Sequence, residues 1–182
     1  MPSAKFKYID SMEKGINNEH SCVDCGTQNC KYKNRTYPEF CLTTNLDESD
    51  RLWALDKYEE SNNKAIMIAS AEVEYEGYCK WTRVQEIMEF AHKINAKRIG
   101  IANCIGLINE ARIFAKILRA NGFEPFAVIC KVAGQSKTSV GIPSECENIG
   151  AAMCNPILQA RLLNQANTDL NVVIGLCVGH DS

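Results

Sequence analysis

A chain of 182 residues with a hydrophobic fraction of 46% has room for one ordinary domain with a small appendage, and its core needs no unusual support. A net charge of -2 gives no field for nucleic acid or an anionic membrane, and no apolar run approaches the ~20 residues that span a bilayer. Ten cysteines are the one outlying count.

Residues 1–20 show no clear periodicity and lack the uninterrupted apolar segment of a secretory signal, so a loosely held lead-in and a cytoplasmic protein are expected. Cytoplasmic thiols stay reduced, which points the cysteines toward metal binding or catalysis rather than disulfides. For the same reason the sequon Asn34-Arg35-Thr36 is expected to carry no glycan. Next come Cys22, Cys25, Cys30 and Cys41, in a segment of glycine, proline and polar residues with too little apolar surface for a core. The pair Cys22-x2-Cys25 followed by Gly26 lets two sulfurs grip one ion while the backbone turns away, and two further thiolates complete a tetrahedron. Four thiolates suit zinc or a four-iron cluster, and spacing does not separate them. The plainer alternative is four scattered thiols. His20 beside Cys22 is read as a bystander.

Leu46 to Ser61, with Leu52, Leu55 and Tyr58 at helical spacing among many acids, predicts a surface helix broken by Asn62-Asn63. Lys64 to Glu76 reads as helix or strand; alanine and the paired glutamates favour a helix ending near Gly77. Thr82 and Gln85 match a capping box, opening a helix with Val84, Ile87, Met88 and Ala91 on one stripe to about Ile94. A buried strand at Ile99–Asn103 runs through Cys104 and Gly106 into a helix with Leu107, Ala111, Phe114, Ala115 and Leu118 inward, stopped by Asn121-Gly122. Pro125 opens a second strand through Cys130, and Ala133 to Gly150 is loop-like. Asn155-Pro156 caps a helix expected to bury Ile157, Ala160, Leu163 and Ala166, and Val172–Leu176 is the last strand. Strand, helix, strand, helix, strand with continuous apolar runs indicates an α/β fold: a small, Rossmann-like parallel sheet with flanking helices. The division expected is a metal-binding segment at 1–45 and an α/β domain at 46–182. So few strands leave an open edge, to be covered by the N-terminal half, by a partner chain, or by residues this form lacks.

The remaining cysteines stand at strand ends or helix starts. Cys104, Cys130 and Cys177 end the three apolar runs, while Cys79 and Cys154 precede capped helices whose free N–H groups lower a thiol pKa. In a doubly wound sheet these positions share the edge where ligands bind. Each cysteine alone is better explained by core packing; five so placed together favour a site. Cys146 has no such placement and is read as incidental. His180, followed by Asp181, is a candidate proton donor or ligand, with a solvated terminal histidine as the alternative; His92 reads as a surface residue. Asn103 and Asn155 could aim amides at a ligand or merely cap and turn, and Lys80, Arg83 and Lys131 could draw an anion to the edge. Phosphate-loop, nucleophile-elbow and His-Glu-x-x-His patterns are missing from the sequence.

Glu76-Gly77-Tyr78-Cys79-Lys80-Trp81-Thr82-Arg83, Met153-Cys154-Asn155-Pro156 and Gly175-Leu176-Cys177-Val178-Gly179-His180-Asp181-Ser182 resemble an uncharacterised prokaryotic family. It is catalogued as a domain of unknown function, often labelled a metal-binding protein, and is frequent in anaerobes. The resemblance runs from about Cys22 to the end and covers every cysteine but Cys146. It implies metal binding in an anaerobic cytoplasm, and a final C-terminal segment absent from this chain; it implies no reaction.

The expectation is therefore a metal knuckle on Cys22, Cys25, Cys30 and Cys41, plus a second site on Cys79, Cys104, Cys130, Cys154 and Cys177 as ligands or nucleophiles, with His180 as proton donor. The second site would hold an iron–sulfur cluster or zinc, serving redox or sulfur-transfer chemistry on an unidentified small molecule or redox partner. A second copy of the chain is a candidate partner; nucleic acid and membrane are not. The rival readings are a non-enzymatic zinc-stabilised binding or metal-handling module, and a thiol oxidoreductase in which two strand-end cysteines form a disulfide.

Overall fold

The computed structural model describes residues 19–32 and 36–177, and the chain divides into two compact units, 1–63 and 64–182. The lead-in before residue 19, and His180 with its neighbours, lie outside the described residues.

The first unit is short turns followed by helices. Single 3-10 turns at Cys22–Asp24 and Asn29–Lys31 precede α1 (Leu42–Asn45) and α2 (Glu48–Glu59). Asp47 caps α2 by accepting from Ser49 N at 2.8 Å. Leu52, Leu55 and Tyr58 are each about half exposed, as a surface helix requires. The break falls at Glu60, which is extended, and not at Asn62-Asn63. Asn63 still ends α2, but from inside the next helix: its Nδ2 reaches back to Lys57 O at 2.9 Å.

α3 (Ser61–Gly77) settles the ambiguity at Lys64–Glu76 in favour of helix, and Ala69, Val73 and Gly77 are its buried positions. α4 (Arg83–Lys93) is capped by Thr82 Oγ1, which accepts from Gln85 N at 3.3 Å, one half of the anticipated box. Lys93 on α4 bonds Glu72 and Glu76 on α3 at 3.0 and 2.9 Å, tying the two helices together.

Three strands follow: β1 (Arg98–Asn103), β2 (Glu124–Ile129) and β3 (Leu170–Ile174), in the order β2-β1-β3 and all parallel. α5 (Ile108–Ala120) links β1 to β2, and α6 (Pro156–Gln165) precedes β3. Side chains alternate across a strand, so the central β1 feeds both faces. Ile99 and Ile101 join Ala91 of α4 and Ala111, Phe114, Ala115 and Leu118 of α5 on one side. Ala102 joins Val128 and Leu163 of α6 on the other. The result is a three-layer α/β/α arrangement, as the continuous apolar runs implied.

Two elements differ from expectation. β3 starts and ends two residues earlier than Val172–Leu176, because Asp169 anchors its start and Gly175, in the left-handed region at φ 57°, ends it. A Cβ at Gly175 would stand 2.1 Å from Leu107 Cδ1, so glycine also fits the space. α6 is rotated: Ile157 is 82% exposed and Ala160 is exposed, while Gln159 and Leu163 are buried. Gln159 hid this stripe from the hydrophobic pattern, yet its amide finds carbonyl partners at the strand ends and can turn inward.

Asp169 closes β3 onto β1, its Oδ2 accepting from both Lys97 N and Arg98 N at 2.8 Å. These two N–H groups, that of Arg98 first, hold its carboxyl below the usual range. A depressed folded pKa means stability that is present above the ordinary carboxylate range, near pH 4, and lost as pH falls through the folded value. Asp169→Asn is expected to lower the denaturation midpoint at neutral pH and to flatten its decline at acid pH; an unchanged acid limb would contradict this.

A candidate thiol site at the strand ends

The parallel register aligns Asn103 with Ile129 and with Ile174, so all three strands end at one edge. α4 and α6 lead back to the starts of strands, so their own N-termini return to that edge. Cys104 and Cys130 immediately follow β1 and β2, and Cys154 immediately precedes the Asn155 cap of α6. Backbone bonds fix these turns against each other: Cys130 N donates to Asn103 O at 2.9 Å, Cys104 N to Ile174 O at 3.1 Å, and Asn155 N to Cys130 O at 2.8 Å.

Cys130 is the centre of the group and only 2% exposed. Its thiol is pushed up above the ordinary value, chiefly by burial. Ile105 N, which donates to its sulfur at 3.4 Å, pulls the other way. The Cys154 thiol, near enough to hydrogen-bond, and the Cys104 thiol then raise it further, since neighbouring thiolates repel. The Cys154 and Cys104 thiols thus lie close enough to Cys130 for each to raise it. Among the described residues, no three cysteine, histidine or acidic side chains yet stand in a shell that could hold an ion. Cys104 is half-buried, with its sulfur beside Gly106.

The other candidates are placed differently. Cys79 occupies the turn between α3 and α4 at φ 55°, exposed, and Cys177 lies three residues past β3, also exposed. Cys146 lies in the 3-10 segment Ser144–Ile149, where its carbonyl accepts from the buried Lys137 ammonium. Two of the three expected anion attractors are engaged elsewhere: Lys131 Nζ donates to Ala152 O at 2.7 Å and Arg83 pairs with Glu86 at 2.8 Å. Asn155 is a cap, accepting from Leu158 N at 3.0 Å. Asn103 is fully buried, with Nδ2 on Cys104 O and no partner for Oδ1 among the described residues. His92 is exposed and packs its ring against Phe123, a surface role as expected. Sequence reasoning missed Gln159, which reaches the strand-end carbonyls from α6; a glutamine with Leu162 and Leu163 three and four residues further on was the available signal.

In the first unit, Cys22 and Cys25 share one turn, Cys25 N donating to Cys22 O at 3.3 Å. The Cys25 thiol is drawn below the ordinary value by the Thr27 hydroxyl and then by the backbone N–H groups of Gln28 and Thr27. Cys30 lies in the next turn and Cys41 at the start of α1. His20 stacks on Phe40, with ring centroids 5.2 Å apart.

Fold and thiols together define an α/β protein with a cysteine cluster at the carboxyl edge of a parallel sheet. Residues 41–182 match the family described as "Protein of unknown function (DUF1847)", and the chain belongs to that family. The match begins at Cys41, after Cys22, Cys25 and Cys30. The chain is also 46% identical over 127 residues to a protein of Methanocaldococcus jannaschii described as "Uncharacterized protein MJ0455". That alignment takes in 70% of this chain and 65% of the relative's length. No solved structure matches. Among the described residues, no helix is long and apolar enough to cross a membrane.

Proposed function

We propose that the chain is a cytoplasmic metal–thiolate protein that works at the strand-end cluster, with redox or sulfur-transfer chemistry of anaerobic metabolism as its task. The observation that carries this is the convergence of two turns and a helix start on Cys130, which gathers the Cys104 and Cys154 thiols about a buried sulfur. Crowded thiols resist ionising together, and a cation removes that repulsion. The Ile105 N–H on Cys130 Sγ already supplies the kind of donor that steadies a thiolate. Location adds support, since open α/β sheets of the Rossmann type bind ligands beyond the carboxyl ends of their strands. Cys104, Cys130 and Cys154 would hold zinc or an iron–sulfur cluster, which would supply Lewis-acid or electron-transfer chemistry. Cys79 and Cys177, exposed and outside this group, are candidate nucleophiles, and His180 the candidate proton donor. Cys22, Cys25, Cys30 and Cys41 form a separate structural metal knuckle, favoured by the lowered Cys25 thiol.

A second reading has one observation behind it. Cys130 is as buried as a core residue, so the strand-end thiols would be packing in a zinc-stabilised binding module. Metal and acid-labile sulfide analysis of the full chain, prepared without oxygen, separates the two. The first reading expects metal in excess of what the knuckle holds, and the excess vanishes in Cys154→Ser. Metal confined to the knuckle, with Cys130 and Cys154 unreactive to thiol reagents in the folded protein, would establish the second.

A further inference from the structure

Gln159 is 1% exposed, yet only half of its carboxamide is bonded. Nε2 donates to Val128 O at 2.7 Å and to Asn103 O at 3.3 Å. Turning the amide over would set Oε1 against two carbonyl oxygens, so its orientation is fixed. Oε1 is then a buried acceptor with no partner among the described residues. An orphaned acceptor of this kind costs about 1–3 kcal/mol unless something else satisfies it.

Its position says what that something faces. Asn103 O, which Gln159 touches, also receives the Cys130 N–H, and Gln159 N donates to Asn155 O one turn after Cys154. Gln159 is on the α6 side of the sheet, with Ala102, Val128 and Leu163. Strand alternation puts Cys130, two residues after Val128, on that side as well. Asn103 alternates with Ala102, so its own unpaired oxygen belongs to the opposite face, with Ile101.

We propose that Gln159 Oε1 is the oxygen donor that completes a mixed shell with Cys104, Cys130 and Cys154, and that the site takes a single divalent ion of the zinc class rather than a four-iron cluster. This rests on the reading that these thiols bind metal. Three thiolates and one oxygen satisfy a tetrahedral ion, whereas a four-iron cluster is held by four thiolates. The ion would meet a buried polar atom on that face that has no partner among the described residues.

The test is an anaerobic titration of the full chain with Co(II), whose ligand-field bands report the donor set. Gln159→Leu removes the oxygen without supplying another donor atom. It should weaken the Cys130-dependent equivalent by about tenfold or more, on the scale of changes close to a metal, and shift its bands. The knuckle equivalent should not change. Gln159→Glu keeps an oxygen and should keep the wild-type bands. The zinc-loaded wild-type chain supplies an answer that needs no substitution: X-ray absorption should show an oxygen neighbour beside the sulfurs. Bands and affinity indifferent to Gln159, or an all-sulfur shell, would overturn the proposal while leaving metal binding in place. Absence of any Co(II)–thiolate absorption that depends on Cys130 would overturn the underlying reading as well.

Discussion

Cys130→Ser should empty the strand-end site, reducing its metal affinity by more than the roughly 10–100-fold that changes around a metal's ligands produce. The fold should survive, because the serine hydroxyl can still accept from Ile105 N, leaving a loss on the order of 1–2 kcal/mol from burying a more polar atom. Cys146→Ser is the control, since that cysteine lies apart from the strand ends in the 3-10 segment Ser144–Ile149, and its metal content should equal wild type. The metal-free protein carries a second signature. Burial raises the Cys130 thiol above its ordinary value, so between about pH 8.5 and the folded value the native state holds a proton that the unfolded chain has released. Stability is therefore greatest below that range and falls as pH rises through it; Cys130→Ser should flatten the fall. Denaturation midpoints between neutral and alkaline pH, recorded in chelator, measure it. An identical slope in both proteins would contradict the assigned environment.

Leu118→Ala should be the most damaging single change to the core. Leu118 is fully buried on the inward stripe of α5, in one cluster with Phe114, Ile99 and Ile101. Truncating such a residue removes apolar burial and leaves a cavity that its neighbours only partly fill, at about 2–5 kcal/mol. Against a total stability of about 5–15 kcal/mol, that is enough to leave a marginal protein. At roughly 2–4 °C per kcal/mol for a chain of this size, the melting temperature should fall by about 5–20 °C. Ile113→Ala on the same helix provides the contrast, since Ile113 is 59% exposed and its loss should cost well under half as much. Equal losses at the two positions would mean that α5 does not pack as described.

The same contrast between stripes explains what the sequence disclosed. β1, α4 and α5 were legible because each has one strong pattern: an uninterrupted apolar run in β1, and a single inward stripe in each helix, opened by a threonine cap in α4 and stopped by Asn-Gly in α5. α6 was not, because Ile157-Leu158-Gln159-Ala160-Arg161-Leu162-Leu163 supports two stripes, and the true one contains a glutamine. Only the presence of strand-end carbonyls lets that amide face inward, and carbonyl positions belong to tertiary structure. The start of β3 was obscured for a related reason: Asn171 is exposed and interrupts the apolar run. At the site, the positions of Cys104 and Cys130 just past two strands, and of Cys154 just before the α6 cap, could be read from the apolar runs and the Asn-Pro pair. Which thiols approach one another depends on turn geometry, and residue spacing does not encode it. The engagement of Lys131 by Ala152 O was equally invisible, because its partner is backbone from 21 residues away.

The central position of β1 has a temporal consequence. β1, α5 and β2 form an unbroken run, whereas β3 must return to Arg98 from Asp169, 71 residues downstream. Closing the longer loop carries the greater entropic penalty. During synthesis and refolding, Cys104 and Cys130 would therefore meet first and wait as a half-built pincer. Cys154 and Gln159 arrive only when α6 lands, so a metal ion captured early would act as a template for the second half of the domain.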